Sequence, residues 1–204
     1  MAEIPDELSK VAQFHGHLCP GLALGYRVAV LARKELNLRH SEDEELVAIV
    51  ENDSCAVDAI QFLNGATFGK GNLIFQDHGL HAYTFFERHS GKQIRVELKA
   101  DIFNDSTKQR HELMRKMSEN IPLSDEEKAI LGRSRQEFMK RVLSMADKEL
   151  FNVRKVHIEV PEKARVFQSV KCASCGLMVM ETRVRVLNQA FYCIPCWENK
   201  LGKR

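Results

Sequence analysis

The sequence predicts an α+β protein, in which helices pack on a mixed sheet, with a small zinc-ribbon domain at its C-terminal end. Helical segments alternate with short runs rich in Val and Ile, and two of these runs flank a turn typical of a β-hairpin. Roughly the last forty residues contain two CxxC pairs instead. We therefore expect two domains, an α+β domain over residues 1–162 and a treble-clef-like zinc ribbon over residues 163–204.

The composition excludes several classes of protein. The 204 residues suffice for one full-sized domain and a small appendage, and 44% hydrophobic with 28% charged residues is the balance of a folded globular chain. No apolar run approaches the roughly 20 residues that span a bilayer, and the acidic start lacks the features of a signal peptide. We expect a cytoplasmic protein without membrane contact, whose reduced cysteines serve metal binding or catalysis.

Two helices are predicted before the first strand. Apolar spacing indicates an amphipathic helix over residues 5–14, which the glycine and proline that follow bring to an end. The second helix, over residues 21–37, has apolar side chains on more than one face and is therefore expected in the middle of the domain. After an acidic, solvated connector at 41–45, the Val- and Ile-rich run 46–52 predicts a buried strand.

A third helix and three more strands follow. Gly65 closes the helix, and Asp53 or Ser54 is expected to cap its start. The glycine-rich GATFGKG leads into a strand at 72–75, and the turn sequence HSGK predicts a hairpin within residues 82–100.

The first domain is predicted to end with two helices and a strand. The helices are expected over residues 105–119 and 125–147. Ser124 and Glu127 have the spacing of a capping box at the start of the second of these helices. A last strand is predicted over residues 151–160.

Four cysteines of the tail have the spacing of a zinc site. Seventeen residues separate two CxxC pairs, and such pairs can place four thiolates at the corners of a tetrahedron. Gly176 permits the turn of the first pair, a hairpin can lie between the pairs, and Pro195 suits the first turn of a closing helix. We expect structural zinc, which supplies stability that so small a domain cannot draw from a core, held by Cys172, Cys175, Cys193 and Cys196.

Basic residues accumulate in the same tail. From Pro161 onward eight Lys or Arg stand against three Asp or Glu, although four thiolates with one Zn²⁺ would subtract two charges. Arg183 and Arg185 could contact phosphates while Phe191 stacks on bases, which would make the ribbon bind nucleic acid. We favour the alternative, in which the aromatic side chains pack around the zinc and the charges face water.

The segment FHGHLCPG, residues 14–21, concentrates metal-binding side chains. His15, His17 and Cys19 alternate in a stretch that glycine and proline keep out of a helix, so that all three can project to one side. Imidazole and thiolate suit Zn²⁺ and other borderline or soft divalent ions. We expect a functional site here; independent surface or capping histidines are the alternative.

Cys55 and Asp53 directly follow the first predicted strand. Cys55 lies at the start of a helix, where N–H groups and the helix dipole favour a thiolate, and Asp53 lies at the carboxyl end of the strand. Cys55 is thus a candidate ligand or nucleophile, and Asp53 a candidate for orienting the ligands. A structural, buried Cys55 and a reversible disulfide between Cys19 and Cys55 are the alternatives.

Two further segments offer polar side chains. GATFGKGN lacks the spacing and the Ser or Thr of a Walker phosphate loop, which argues against a nucleotide triphosphatase. Lys70 in this segment is a candidate for neutralising an anionic substrate, with a plain glycine turn as the alternative. Asp77 and His78, at the end of the next strand, are candidates for acid or base groups or for strand caps.

These motifs together resemble one family. FHGHLCPGLALGYRVA, ENDSCAVDAIQFLNGATFGKGNL and the paired CxxC tail are similar to the FmdE family, the E-type subunits of formylmethanofuran dehydrogenase, closely over residues 11–103. That family is named for its association with a molybdenum or tungsten enzyme that carries formyl groups on methanofuran in methane-producing archaea. Leu80 in DHGLH departs from the Lys or Arg that commonly follows DxG, which argues against an anion-binding role at that position.

The resemblance implies a compact α+β domain with a zinc finger, often dimeric, and a pocket lined by His15, His17, Cys19, Asp53, Cys55, Lys70, Asn72 and Asp77. We expect this Cys/His pocket to bind a second metal ion, or to associate with a molybdenum or tungsten cofactor, for redox or one-carbon chemistry on a small molecule. The expected assembly is a homodimer or a larger oxidoreductase complex. The alternative is a non-enzymatic regulator or adaptor that binds nucleic acid or protein through its zinc ribbon.

Overall fold

A five-stranded sheet forms the centre of the first of two units in the computed structural model, which describes residues 4–38, 40–103 and 108–201. The units are Met1–Lys163 and Ala164–Arg204. The strands of the first unit are β1 Leu46–Val50, β2 Leu73–Phe75, β3 Ala82–Glu87, β4 Gln93–Leu98 and β5 Phe151–Lys155.

The sheet is mixed. Its order is β2-β1-β3-β4-β5, and β1 runs parallel to β2, whereas the other neighbours are antiparallel. The β3–β4 pair is the predicted hairpin, with Gly91 in the left-handed conformation at its turn. The predicted α+β class with a mixed sheet is therefore confirmed.

Six helices of this unit lie within the described residues. They are α1 Asp6–His15, α2 Pro20–Leu36, α3 Ala56–Asn64, α4 Lys108–Ser118, α5 Asp125–Ser144 and α6 Asp147–Leu150. The capping box predicted at Ser124 and Glu127 is present, with reciprocal bonds of 3.2 and 2.9 Å. Residues 105–107, where the fourth helix was expected to begin, lie outside the described residues. None of the described helices combines the length and apolar character that crossing a membrane requires.

The start of α3 differs from the expectation. Neither Asp53 nor Ser54 caps it: the N-cap residue is Cys55, whose side chain makes no capping bond. Asn52 explains the difference, because its Oδ1 accepts bonds from the Ser54 N–H at 3.1 Å and the Ser54 hydroxyl at 2.7 Å. This local turn ends β1 at Val50, before the residue where the sequence predicts its end.

The other departures concern connections. The acidic connector is not simply solvated, because Ser41 is buried and its hydroxyl donates to the Glu45 carboxylate at 2.7 Å. This bond and nearby N–H donors lower the pKa of Glu45 to about 2. The predicted strand 151–160 stops at Lys155, since Gln93 and Arg88 hold the following segment through their side chains, at Ile158 and Pro161.

The core lies between one face of the sheet and the helices. α2 contacts α3, α5 and β4 and buries apolar residues along its length, as expected for a central helix. The approach of α2 to α3 is close enough to require glycine. A Cβ on Gly25 would lie 2.3 Å from the Ala56 carbonyl oxygen and 2.5 Å from the Ala56 Cα. Both are backbone atoms, so the helices could not accept a larger residue without separating.

The second unit consists of two short hairpins and a helix. Its elements are β6 Ser169–Lys171, β7 Met178–Met180, β8 Val184–Leu187, β9 Ala190–Cys193 and α7 Ile194–Leu201. The β8–β9 hairpin and the closing helix follow the expectation. The antiparallel β6–β7 pair, which carries the first CxxC in its connection, is an additional element.

Gly25→Ala is expected to lower the free energy of unfolding by about 3 kcal/mol, because the added methyl group must push α2 away from the α3 backbone. The matched control is Gly132→Ala in α5, where an added Cβ meets no atom within 4 Å. That change should raise stability by up to about 1 kcal/mol through helix propensity. Urea unfolding compares the two variants, and equal midpoints would contradict the close approach.

Candidate metal centres

Three candidate ligands meet where α1 passes into α2. His15 is the last residue of α1, Gly16 ends this helix with a φ of +93°, and Cys19 is the N-cap residue of α2. One ligand atom from each of His15, His17 and Cys19 lies within 4.8 Å of the other two. We call these residues the HHC cluster. Its geometry arises from a helix end and a cap, and not from the extended segment that the alternating spacing suggests.

Asp58 orients the first histidine of the HHC cluster. The Nδ1 of His15 lies 2.6 Å from the Oδ2 of Asp58, in the first turn of α3. Because a carboxylate accepts, Nδ1 donates to Asp58, and Nε2 is the ring nitrogen left to face a metal. That Nε2 lies 4.0 Å from the Sγ of Cys19. Asp58 thus holds the basic nitrogen of His15 toward the cluster, a role that the sequence reasoning assigned to Asp53.

Cys55 lies beside the HHC cluster. Its thiol is near enough to that of Cys19 to be influenced by it, and a Cβ on Gly21 would lie 3.2 Å from the Cys55 Cβ. The described side chains that share the 4.8 Å limit do not include Cys55. Burial, followed by the contact with Cys19, raises the pKa of the Cys55 thiol. The expectation that the helix start favours a thiolate there is therefore wrong, because desolvation outweighs the helix terminus.

The four cysteines of the second unit form a separate cluster. Their sulfur atoms lie within 4.8 Å of one another, and the Sγ atoms of Cys175 and Cys193 are 3.9 Å apart. Corners of a ZnS₄ tetrahedron with Zn–S bonds of about 2.3 Å are about 3.8 Å apart, so the donor set fits zinc. N–H donors from Cys175 and Cys193 lower the pKa of Cys172 to about 6, which prepares a thiolate ligand.

Two family models match this chain. The family model described as FmdE, molybdenum formylmethanofuran dehydrogenase operon, matches residues 14–152. The chain belongs to the FmdE family. A second model, the prokaryotic dksA/traR C4-type zinc finger, matches residues 165–198 and covers the four cysteines. The resemblance drawn from the motifs is confirmed.

The chain is also similar to one curated protein and to one solved structure. A probable S-adenosyl-L-methionine-binding protein of Archaeoglobus fulgidus is 33% identical over 183 residues, which are 87% of this chain and 50% of that protein. The chain thus spans half the length of this curated relative. The crystal structure of a tungsten formylmethanofuran dehydrogenase FmdE-like protein from Syntrophus aciditrophicus superposes with a TM-score of 0.58 at 24% identity, over 95% of this chain and 91% of that one. At this identity the likeness concerns the fold.

Lys70 and Asn72 lie away from the HHC cluster of the FmdE domain. They precede β2 at the amino end of the parallel pair, whereas Cys55 follows the carboxyl end of β1. Lys70 Nζ donates to the carbonyl of Ser41 at 3.0 Å. Asn72 is fully buried and its amide nitrogen donates to the Leu46 carbonyl at 2.8 Å. These contacts stabilise loops. Neither Lys70 nor Asn72 therefore belongs to the pocket that was expected to contain them together with Cys55.

Asp53 and Asp77 occupy the expected edge of the sheet. Both are exposed and make no hydrogen bond within the described residues. His78, next to Asp77, has its Nδ1 3.0 Å from the Oε2 of Glu51. An ion pair of Glu51 with Arg95 is the main cause that lowers the pKa of Glu51. The acidic residue engaged at this edge is thus Glu51, which the sequence reasoning treated as the end of a strand.

A small cavity adjoins the Cys55 segment of the FmdE domain. It measures about 50 Å³, and its lining consists mainly of apolar side chains together with Gly21 and the two sequence neighbours of Cys55, Ser54 and Ala56. His81 and Tyr83 also line it. Because one water needs about 10–15 Å³ of such volume, the cavity suits a molecule of a few atoms.

Cys196→Ser should release zinc and unfold residues 164–204 while leaving the FmdE domain folded. Within the described part of this unit, only Cys172 and Tyr192 count among the buried apolar residues, so metal binding must supply most of its stability. Zinc content and limited proteolysis report the two effects. Ser174→Ala, which changes a residue between the two cysteines of the first CxxC pair, should keep one zinc per ribbon. A folded ribbon in zinc-free Cys196→Ser would contradict the structural role.

Proposed function

We propose that the FmdE domain binds one transition-metal ion through His15, His17 and Cys19, in addition to the zinc of the ribbon. The observation that carries this proposal is the HHC cluster itself, three ligand atoms within 4.8 Å with the His15–Asp58 bond at 2.6 Å behind them. Neighbouring ligands of a tetrahedral ion are about 3.3–3.8 Å apart, so small side-chain rotations suffice to close on an ion.

The donor set limits the choice of metal. Two imidazoles and one thiolate favour Zn²⁺, Cu, Fe or Ni over hard ions such as Mg²⁺ and Ca²⁺, which take oxygen ligands. The carboxylate of Asp58 behind His15 is the arrangement by which proteins fix a ligating histidine and increase its basicity. His17, exposed in the bend, has the freedom to adjust to the ion.

Three protein ligands leave one position of a tetrahedral ion open, as in catalytic and not structural metal sites. We assign the redox or one-carbon chemistry expected from the family resemblance to this open position. The Cys55 thiol beside Cys19 and the cavity of about 50 Å³ near it support a small molecule as the substrate or ligand. Cys55 then serves as a proton donor next to the ion, and not as a permanent ligand.

A molybdenum or tungsten cofactor fits the site less well than a single ion. Pockets for organic ligands measure on the order of 300 Å³ or more, and the cavity beside Cys55 measures about 50 Å³. Lys70, the cation that the sequence offered for an anionic group, is engaged by carbonyls at the other end of the parallel strands. We therefore propose a metal ion with a small ligand at this site.

Elemental analysis of purified protein is expected to give two metal ions per chain, and Cys19→Ala should reduce this number to one. Cys55→Ala should keep both ions. With Co²⁺ as the probe, azide should change the visible spectrum of the N-terminal site through its open position and leave the ribbon site unchanged. One metal per chain in both the wild type and Cys19→Ala would refute the proposal.

Asp58→Asn is expected to weaken metal binding at the HHC cluster about 10–100-fold, because an amide no longer accepts the Nδ1 proton as a carboxylate does. Asp53→Asn is the matched control and should bind metal as the wild type does, since Asp53 makes no bond within the described residues. Competition with a chromophoric chelator measures both affinities. Equal losses of metal affinity in the two variants would show that Asp58 does not support the metal site.

A further inference from the structure

Polar residues form a row across the sheet face opposite the helices. In the strand registers Thr84 is paired with Arg95, and Arg95 with Arg154, so the three side chains project from the same side of β3, β4 and β5. The core residues Phe85 and Val96 alternate with them and face the helices. None of the residues of the HHC cluster belongs to this row.

Two like charges stand directly opposite each other in this row. Arg95 and Arg154 are neighbours across β4 and β5, an arrangement that costs stability unless negative charge compensates it. Glu97 Oε1 accepts from Arg95 Nε at 2.6 Å and from Arg154 Nη2 at 3.0 Å. Glu51 forms an ion pair with Arg95 Nη1. The two carboxylates fix the guanidinium groups in place.

A pocket of about 370 Å³ opens over these guanidinium groups, where the chain leaves β5. Its lining includes Thr84, Arg95, Arg154, Lys155 and His157, and no acidic side chain. Glu51 and Glu97, which compensate the arginines, do not line the pocket. The pocket therefore presents cationic groups to any molecule inside it.

Several donors of this pocket have no protein partner within the described residues. Arg95 Nη2 and the Nη1 and Nε of Arg154 make no hydrogen bond there. Thr84 Oγ1 accepts from Arg95 Nη1 at 3.2 Å, which leaves the hydroxyl proton free to donate. Donors thus come from three strands, and Arg95 is the anchored one, with its side chain 18% exposed.

We propose that this pocket binds the phosphate group of a small phosphorylated molecule. A tetrahedral phosphate offers three terminal oxygens, which can meet donors from several directions, and arginine pairs with it through two parallel bonds. The volume lies at the lower end of the range for small-molecule sites, so it accommodates a sugar phosphate more readily than a dinucleotide. This inference is independent of the metal site.

Calorimetric titration of the full-length protein tests the proposal, with inorganic phosphate, ribose 5-phosphate and unphosphorylated ribose as probes at constant ionic strength. Both phosphate species should bind and ribose should not. The tighter of the two phosphates identifies whether the natural ligand is the free ion or an ester. Absence of binding by both phosphates at millimolar concentration would overturn the proposal.

Arg154→Gln should weaken phosphate binding about tenfold or more, the usual effect of losing one charge-assisted hydrogen bond. Arg154 is 59% exposed, so its replacement should leave the fold intact. Arg135→Gln, an exposed site on α5, removes the same charge elsewhere and should bind phosphate as the wild type does. An equal loss of phosphate affinity in Arg135→Gln would show that the effect depends only on net charge, and it would refute phosphate binding in this pocket.

Discussion

The backbone contact between α2 and α3 at Gly25 and Ala56 determines the geometry of the candidate metal site. Gly21, one turn before Gly25 in α2, lies against Cys55 for the same reason, since the two helices remain close along this turn. The short distance between the two helices brings Cys19, the N-cap residue of α2, near Cys55, which precedes α3. The bond from His15 to Asp58 then joins α1 to the same helix. Without this close approach the thiols of Cys19 and Cys55 would not lie near each other.

The features that were predicted correctly have local causes in the sequence. Paired CxxC motifs define a ribbon because two thiolates at that spacing occupy two corners of one tetrahedron, whatever surrounds them. The Ser124–Glu127 capping box and the left-handed Gly65 at the end of α3 likewise depend on residues within one turn of the helix. The alternation of helical and strand patterns in the sequence predicted the fold class, because each kind of element needs its own spacing of apolar residues to pack against the core.

The features that escaped prediction depend on distant contacts. Asp58 appeared only as a residue in the first turn of a helix, and its role requires the end of α1 beside it. The pKa of Cys55 follows burial and a second thiol, which no helix position reveals. Asn72 and Lys70 belong to a matching motif but lie at the opposite end of the parallel strands. The homodimer and the larger complex stay predictions.

One side chain joins the segment before Cys55 to the loop that carries Asp77 and His78. The amide nitrogen of Asn52 donates to the Leu80 carbonyl at 2.6 Å and to the Tyr83 hydroxyl at 3.3 Å, while its oxygen holds the turn at Ser54. Displacing either segment therefore breaks a hydrogen bond of the same carboxamide. A displacement of the loop after β2 therefore affects the segment that carries Cys55 through the hydrogen bonds of Asn52, which itself needs no contact with a ligand.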